Sequence, residues 1–384
     1  MSGVARSERL ESLDVLRGFD MFFIFLPDPA PCVVAVFLTM IGLGNTALAA
    51  QFDHVAGAGL HFYDCIFPLF LYISGVTWPF SLASQRAKGA SSAAISFKIL
   101  KRMVLLFAMG AMLWTVIDGT LERNILSFDW AHFRTWSVIG RIGIAWGVAA
   151  FLCLGFGRRA RLAICAAILA VMWVTLHCWP NLGSWLDVNF LTTAHRPEGG
   201  FYTITMVATA MLGNFAGEIL RDADVPASGK LVRLLSSAAL SLALGLAMAF
   251  ACGSWSLPIH KGHWSSSFVL VVGGISFALL ALFYWIVDVK GWRRWGFFFK
   301  VIGMNAITIY ILVRTVLNYG FLKEYFFGGV SQFLSAPVAE FVGQIGLIAL
   351  GWLLLHYLYR KQIFLRVGRP PRIVRTLWRE GGGI

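Results

Sequence analysis

The stretch Gln51-Phe-Asp-His54-Val-Ala-Gly57-Ala-Gly59-Leu-His61-Phe-Tyr-Asp64-Cys-Ile-Phe-Pro68-Leu-Phe70 decides how this chain is read. Its first part, to His61, is turn-forming and carries two histidines. Its second half runs directly into an apolar window over roughly residues 63–83. About 20 apolar residues cross the hydrocarbon core of a bilayer, so the stretch reads as a loop feeding a transmembrane helix. Working outward, similar windows recur at roughly 14–40, 98–117, 136–156, 162–179, 201–220, 232–252, 265–287, 299–318 and 338–358. Pro27, Pro29 and Pro31 interrupt the first window, and because proline removes a backbone donor they should kink or end that helix. The expected fold is all-α: a polytopic integral membrane bundle of about ten transmembrane helices, one domain over residues 1–384 with a basic tail at 359–384.

Composition agrees. The chain is 58% hydrophobic and 13% charged, against about 25% charged in a typical soluble domain. That excludes a soluble globular enzyme and a disordered chain. The 15 Trp and 32 Phe suit a protein with two membrane–water interfaces. Six scattered cysteines without CxxC or CxxH spacing argue against a disulfide scaffold or a zinc ribbon. The net charge of +13 is explained by where the cations fall. With a cytoplasmic N-terminus, all but Arg123, Arg134, Arg141, Arg196, Lys261, Arg314 and Lys323 of the 32 basic residues lie in inner segments. The positive-inside rule therefore predicts both termini inside, and the basicity is leaflet electrostatics rather than nucleic-acid binding.

The two faces then differ chemically. His54, His61, His132, His195, His260 and His263 fall in outward loops and His177 near an outward helix end, leaving only His356 towards the inside. Imidazole titrates near neutrality and serves as base, nucleophile or metal ligand, whereas the Arg and Lys of the inner face suit phosphate. Asp64 opens the second span, where a carboxylate caps free N–H groups. Ten residues separate it from His54, so helical spacing does not fix their contact, but a loop folding back onto the helix mouth would set imidazole against carboxylate and orient a general base. Asp53 is a competing partner. His260 and His263 sit beside Gly262 and Pro258, in a loop rather than a helix, and no metal is expected. Trp264-Ser-Ser266-Ser267 is a hydroxyl-rich helix start suited to capping and to anion or substrate contact. Within the spans, Arg141, Asn305, Asn214, Glu218 and Arg314 are polar at membrane depth, either functional or knitting helices together. Asp14 and Arg17, three apart, share a helix face.

These residues resemble a family. Ser12-Leu13-Asp14-Val-Leu-Arg17-Gly18 is similar to the SLDxxRG opening of the heparan-α-glucosaminide N-acetyltransferase family of transmembrane acyltransferases, and His54-x4-Gly59-x4-Asp64-x2-Phe67-Pro68-x-Phe70 to the segment around its active-site histidine. The likeness continues in order through Val138-Ile-Gly-Arg141, Arg196-Pro-Glu198-Gly199, Lys261-Gly-His-Trp264-Ser-Ser-Ser267, Leu282-Phe-Tyr-Trp285-Ile-Val-Asp288 and Gly303-Met-Asn305. The chain looks closest to the bacterial branch. It departs where many members have an Asn or a Gly-rich turn after the first span and this chain has Leu26-Pro27-Asp28-Pro29, and where Gly57 replaces a Trp.

The resemblance implies acetyl transfer from cytoplasmic acetyl-CoA, a co-substrate, to an amino sugar or other glycan beyond the membrane. It matches His54 to the catalytic histidine, acting as base or acyl carrier, with Asp64 beside it. Asp28, Arg141, Trp264, Ser266 and Asn305 are candidates for acyl and acceptor contact, and Asp14, Arg17, Lys101 and Arg102 for the CoA end. A bacterial cytoplasmic membrane, O- or N-acetyl transfer, the bilayer itself as partner and a homodimer as an open assembly complete the expectation. A sugar transporter or flippase without covalent chemistry is the alternative from another class, since intramembrane Arg141 and Asn305 also suit a carrier.

Overall fold

The computed structural model describes residues 10–25, 32–113, 135–190, 199–315, 319–365 and 367. All described regular elements are helical. They are α1 (Glu11–Phe22), α2 (Val33–Met40), α3 (Ala47–Ala50), a 3₁₀ turn (Phe62–Cys65) leading into α4 (Ile66–Ala87), α5 (Ser92–Leu113), α6 (Val138–Gly155), α7 (Arg158–Cys178) and α8 (Leu182–Phe190). There follow α9 (Thr203–Arg221), α10 (Ala227–Phe250), α11 (Ser266–Phe283) with a π-helical extension over Tyr284–Val289, α12 (Phe297–Met304), α13 (Ala306–Thr315), α14 (Tyr319–Ser331) and α15 (Ala336–Arg360).

Among the described residues, seven helices are long and apolar enough to cross a membrane: α4 with its leading turn, α6, α7, α9, α10, α11 with its extension, and α15. The other three windows differ for physical reasons. The first yields two short helices, α1 and α2, on either side of the proline cluster. The third, α5, has the length but carries Lys98, Lys101 and Arg102. The ninth breaks into α12 and α13 at Asn305, whose amide donates to the Val301 carbonyl (3.0 Å) and to Leu355 O on α15 (3.5 Å).

Helices α4 and α9 form the centre, with α6 and α11 against them, while α7, α10 and α15 bury only a narrow stripe and leave the rest for lipid. Small residues set the central crossing. A Cβ on Gly213 would lie 2.1 Å from the Tyr72 carbonyl oxygen, one on Gly217 2.2 Å from that of Val76, and one on Gly75 2.2 Å from that of Ala210. This is a Gly-xxx-Gly stripe facing a glycine, which lets two backbones touch where lipid offers no hydrophobic drive for association. Gly18 of α1 and Gly303 of α12 meet backbone carbonyls at equally short range. Intramembrane polar groups knit neighbours: Asn214 donates to Ala149 O (3.2 Å), and Arg161 pairs with Glu218 (2.5 Å). The first turn of α1 has no side-chain cap of its own. Asp288, presented by the π-helical extension of α11, accepts from the N–H of Glu11 and Ser12 and from the Ser12 hydroxyl.

Gly213→Leu is expected to lower stability by about 3 kcal/mol, since overpacking against backbone cannot be relieved by a rotamer change. The thermal midpoint in detergent should fall clearly, whereas Leu240→Val on the exposed face of α10 should leave it in place.

Candidate functional site

The mouth of α4 carries the most concentrated polar chemistry. Asp64 is 1% exposed, and a buried carboxylate is tolerated only when its oxygens are satisfied. Its Oδ2 accepts from the backbone N–H of Val55 (3.2 Å) and of His61 (3.1 Å). Its Oδ1 lies 2.7 Å from His54 Nδ1 and 3.3 Å from Lys261 Nζ. Two loop amides, an imidazole and an ammonium thus converge on one carboxyl. Asp64 is both the cap of its helix start, reciprocating with His61, and the partner of His54. Asp53 takes the His54 backbone N–H at 2.7 Å, and its carbonyl lies 3.0 Å from His61 Nδ1.

An ionised carboxylate only accepts, so the tautomer that pairs with Asp64 is the one with its proton on Nδ1 and its lone pair on Nε2. The ring is half exposed, 4.8 Å from the Tyr63 ring. Tyr63 donates its hydroxyl hydrogen to Phe23 O, tying the dyad to the end of α1. Gly59, at φ +135°, donates its N–H to Ile259 O (2.8 Å), which fastens the 51–61 loop to the 256–265 loop. That junction delivers Lys261 to the dyad from 207 residues away: Nζ lies 3.0 Å from His54 Nδ1 and 3.4 Å from Nε2.

Two cavities follow one face of α4 beyond its first turn; neither is lined by His54, Asp64 or Lys261. The first, about 390 Å³, begins at Phe67, one turn from Asp64, and is lined by Phe70, Ser74 and Thr77 of α4, Arg17 and Met21 of α1, Arg102 of α5 and Ile139 of α6, among others. The second, about 300 Å³, continues along Ser81, Gln85 and Lys88 with Trp78, Trp146 and Lys98. Arg102 and Val367 border both. The sequence Phe67, Phe70, Ser74, Thr77, Ser81, Gln85, Lys88 advances by three or four residues at each step. It is therefore one helical stripe, about 30 Å long at 1.5 Å per residue. The guanidinium of Arg102 lies 4.1 Å from the centre of the Trp146 ring, and Lys98 donates to Gln85 Oε1 (3.1 Å). The stripe is aromatic and small near the dyad and cationic at its far end.

The remaining sequence candidates are distributed as follows. Arg17 lines the first cavity, with Asp14 paired to it at 3.3 Å. Lys101 is exposed on α5 and lies apart from both cavities, because Lys98 and Arg102, four residues apart, take the inner face. Arg141 is fully buried, with its guanidinium 5.5 Å from the Phe67 ring centre, one layer behind the cavity wall. Trp264 is fully buried at φ +44°; its Nε1 donates to Thr209 (3.1 Å) and its ring packs on Phe67. The Ser266 hydroxyl donates to Leu169 O (2.7 Å). Asn305 is buried where α12 meets α13, a junction that borders the first cavity through Gly303, Met304 and Ala306. Asp28 lies outside the described residues. Sequence reading missed Lys261, Lys88, Lys98 and Trp146. The four-residue spacing of Lys98 and Arg102 was available as a signal, but the approach of Lys261 to His54 had none. It also gave no separate role to Asp20, which is fully buried with neither carboxyl oxygen hydrogen-bonded in the structure.

No family model matches the chain. It is 24% identical to the heparan-alpha-glucosaminide N-acetyltransferase of Homo sapiens, over 94% of this chain and 60% of that protein. It is 23% identical to the Mus musculus protein of the same name, over 82% of this chain and 56% of that protein. The chain thus spans somewhat more than half the length of these relatives.

The 256–265 loop gives the site a pH dependence. His260 and His263 stack at 4.2 Å, and the His263 N–H donates to His260 Nδ1. Burial pushes both imidazoles below their ordinary value, and His260 depresses His263 further. With folded values below the unfolded one of about 6.5, the unfolded loop binds more protons, so loop stability is complete above about pH 6.5 and falls as the pH drops beneath it. Amide exchange across 256–265, corrected for intrinsic rates, is expected to be faster at pH 5.5 than at 7.5. The His260→Asn/His263→Asn double variant should lose that difference.

Proposed function

We propose that this member of the heparan-alpha-glucosaminide N-acetyltransferase-like family is a transmembrane acetyltransferase that takes its acetyl group from acetyl-CoA on the basic face and delivers it to an amino sugar or other glycan on the opposite face. The observation that carries the reading is the stripe of α4 along two cavities, with the His54–Asp64 pair at one end and Lys88, Lys98 and Arg102 at the other. A nucleotide with several phosphates is too polar for lipid and suits clustered cations. A thin thioester arm fits a channel of small and aromatic side chains. In this reading Lys88, Lys98, Arg102 and Arg17 hold the phosphate-bearing end, Trp146 and Trp78 offer aromatic faces, and the acetyl group lies against Phe67.

His54 then has two chemically complete routes. As a base, Nε2 takes the proton of the acceptor amine or hydroxyl as that atom attacks the acetyl carbon. As an acyl carrier, Nε2 attacks first and passes the acetyl group on. Asp64 serves both by holding the ring and stabilising the imidazolium that forms. The proposal includes ten crossings with both termini on the cytoplasmic side of a bacterial membrane, which places the dyad outside and the cations inside. Both N- and O-acetylation are compatible with this chemistry.

The test uses the full chain in nanodiscs with acetyl-CoA and glucosamine. Acetyl transfer is expected, with at least a 10³-fold loss in His54→Ala at an unchanged thermal midpoint. Full activity in that variant, or uptake of labelled sugar by proteoliposomes without acetyl-CoA, would overturn the reading in favour of a carrier. Two further outcomes are expected. Arg102→Ala should raise the Kd for CoA about tenfold, in line with about 1.5 kcal/mol for a charge-assisted contact. Ser74→Trp, which fills the stripe midway, should stop transfer while leaving the dyad's own surroundings intact.

A further inference from the structure

The approach of Lys261 to His54 has a chemical use that goes past holding a loop. Lys261 Nζ lies 3.4 Å from His54 Nε2 and 3.0 Å from Nδ1, alongside the imidazole rather than beyond Asp64. Its side chain is 15% exposed, against 50% for His54, and is the more sheltered of the two. Phe67, which begins the first cavity, lies one turn below on α4. Any acyl transfer at Nε2 converts a planar carbonyl into a tetrahedral centre with charge on oxygen. A preorganised donor must stand about 3 Å from where that oxygen forms. Lys261 Nζ, 3.4 Å from Nε2, is an ammonium standing beside the atom at which the transfer is placed. The other polar groups nearby point elsewhere: the Trp264 indole N–H goes to Thr209, the Ser265 and Ser267 hydroxyls go to Pro258 O, and the Val55 and His61 amides go to Asp64.

We propose that Lys261 is a catalytic residue whose ammonium stabilises the oxyanion of the tetrahedral intermediate. The proposal rests on the acetyl-transfer reading above. In the direct route, the acceptor nitrogen or oxygen bonds to the acetyl carbon and its proton passes to His54 Nε2. The carbonyl π pair moves onto oxygen, which Lys261 receives. Collapse restores the carbonyl, breaks the carbon–sulfur bond and releases CoA thiolate, which takes the proton back from the imidazolium. In the acyl-carrier route the same oxyanion forms twice, and Lys261 meets it both times. Asp64 holds Lys261 in position through its Oδ1 and stays ionised beside it, so one carboxylate sets the posture of both the base and the cation.

The experiment compares Lys261→Met, which keeps length and removes charge, with Lys261→Arg and His54→Ala in single-turnover acetyl transfer to glucosamine in nanodiscs. The donors are acetyl-CoA and chloroacetyl-CoA, and the Kd for CoA is measured in parallel. Lys261→Met is expected to slow acetyl transfer 10²- to 10³-fold with the Kd for CoA unchanged. With chloroacetyl-CoA, whose chlorine already stabilises negative charge, the loss should shrink to about tenfold or less. Lys261→Arg should recover part of the rate. A merely structural lysine would slow both donors equally, and that result, or an undiminished rate in Lys261→Met while His54→Ala is dead, overturns this inference and leaves the transferase reading standing. If His54→Ala is as active as the unaltered protein, the transferase reading falls and this inference falls with it.

Discussion

One buried carboxylate organises the described site. Asp64 sits at the start of α4 with its oxygens turned away from water, and it is satisfied by donors from three places: the amides of Val55 and His61, the ring of His54 and the ammonium of Lys261. The first two belong to the 51–61 loop and the third to the 256–265 loop. The desolvation of Asp64 favours closing all of them onto one point, because any lost partner leaves a charge or an N–H exposed to an apolar surround. The posture of the His54 ring, the fold of the 51–61 loop and the docking of the 256–265 loop are therefore one equilibrium rather than three.

The same helix that presents Asp64 also supplies the wall of the cavities. α4 is the right element for this because its opposite side is pinned against α9 through Gly75, Gly213 and Gly217, at backbone contact. Close approach on one side leaves space on the other, where Ser74, Thr77 and Ser81 are too small to fill it. Rigidity and emptiness thus arise from the distribution of small residues around a single helix. At the far end the guanidinium of Arg102 packs on the Trp146 ring, while Lys98 donates to Gln85 Oε1.

The helices that face lipid have a simpler duty. α7, α10 and α15 carry apolar residues nearly all round and pack by a narrow seam, and two of their polar side chains tie helices: Arg161 with Glu218, and Ser241 with the Leu270 carbonyl. The cap of α1 by Asp288 follows the same logic across 276 residues. Without water, every backbone donor at a helix end needs a named acceptor.

By itself the sequence determined the solvent of this protein. Hydropathy windows and few charges demand an all-helical membrane chain, and the apolar run after Asp64 announces α4, because both depend only on local composition and length. It also brought His54 and Asp64 under one suspicion, since they flank a glycine-rich loop that has to turn back. What only the tertiary structure decided is which cations border the cavities. Lys98 and Arg102 line them and Lys101 does not, a distinction that one residue of helix phase settles. Lys261 reaches His54 from 207 residues away because a Gly59–Ile259 hydrogen bond joins two loops. Proximity across such a distance is set by how α4, α9 and α11 pack, and packing is a property of facing surfaces, which no linear order of residues records.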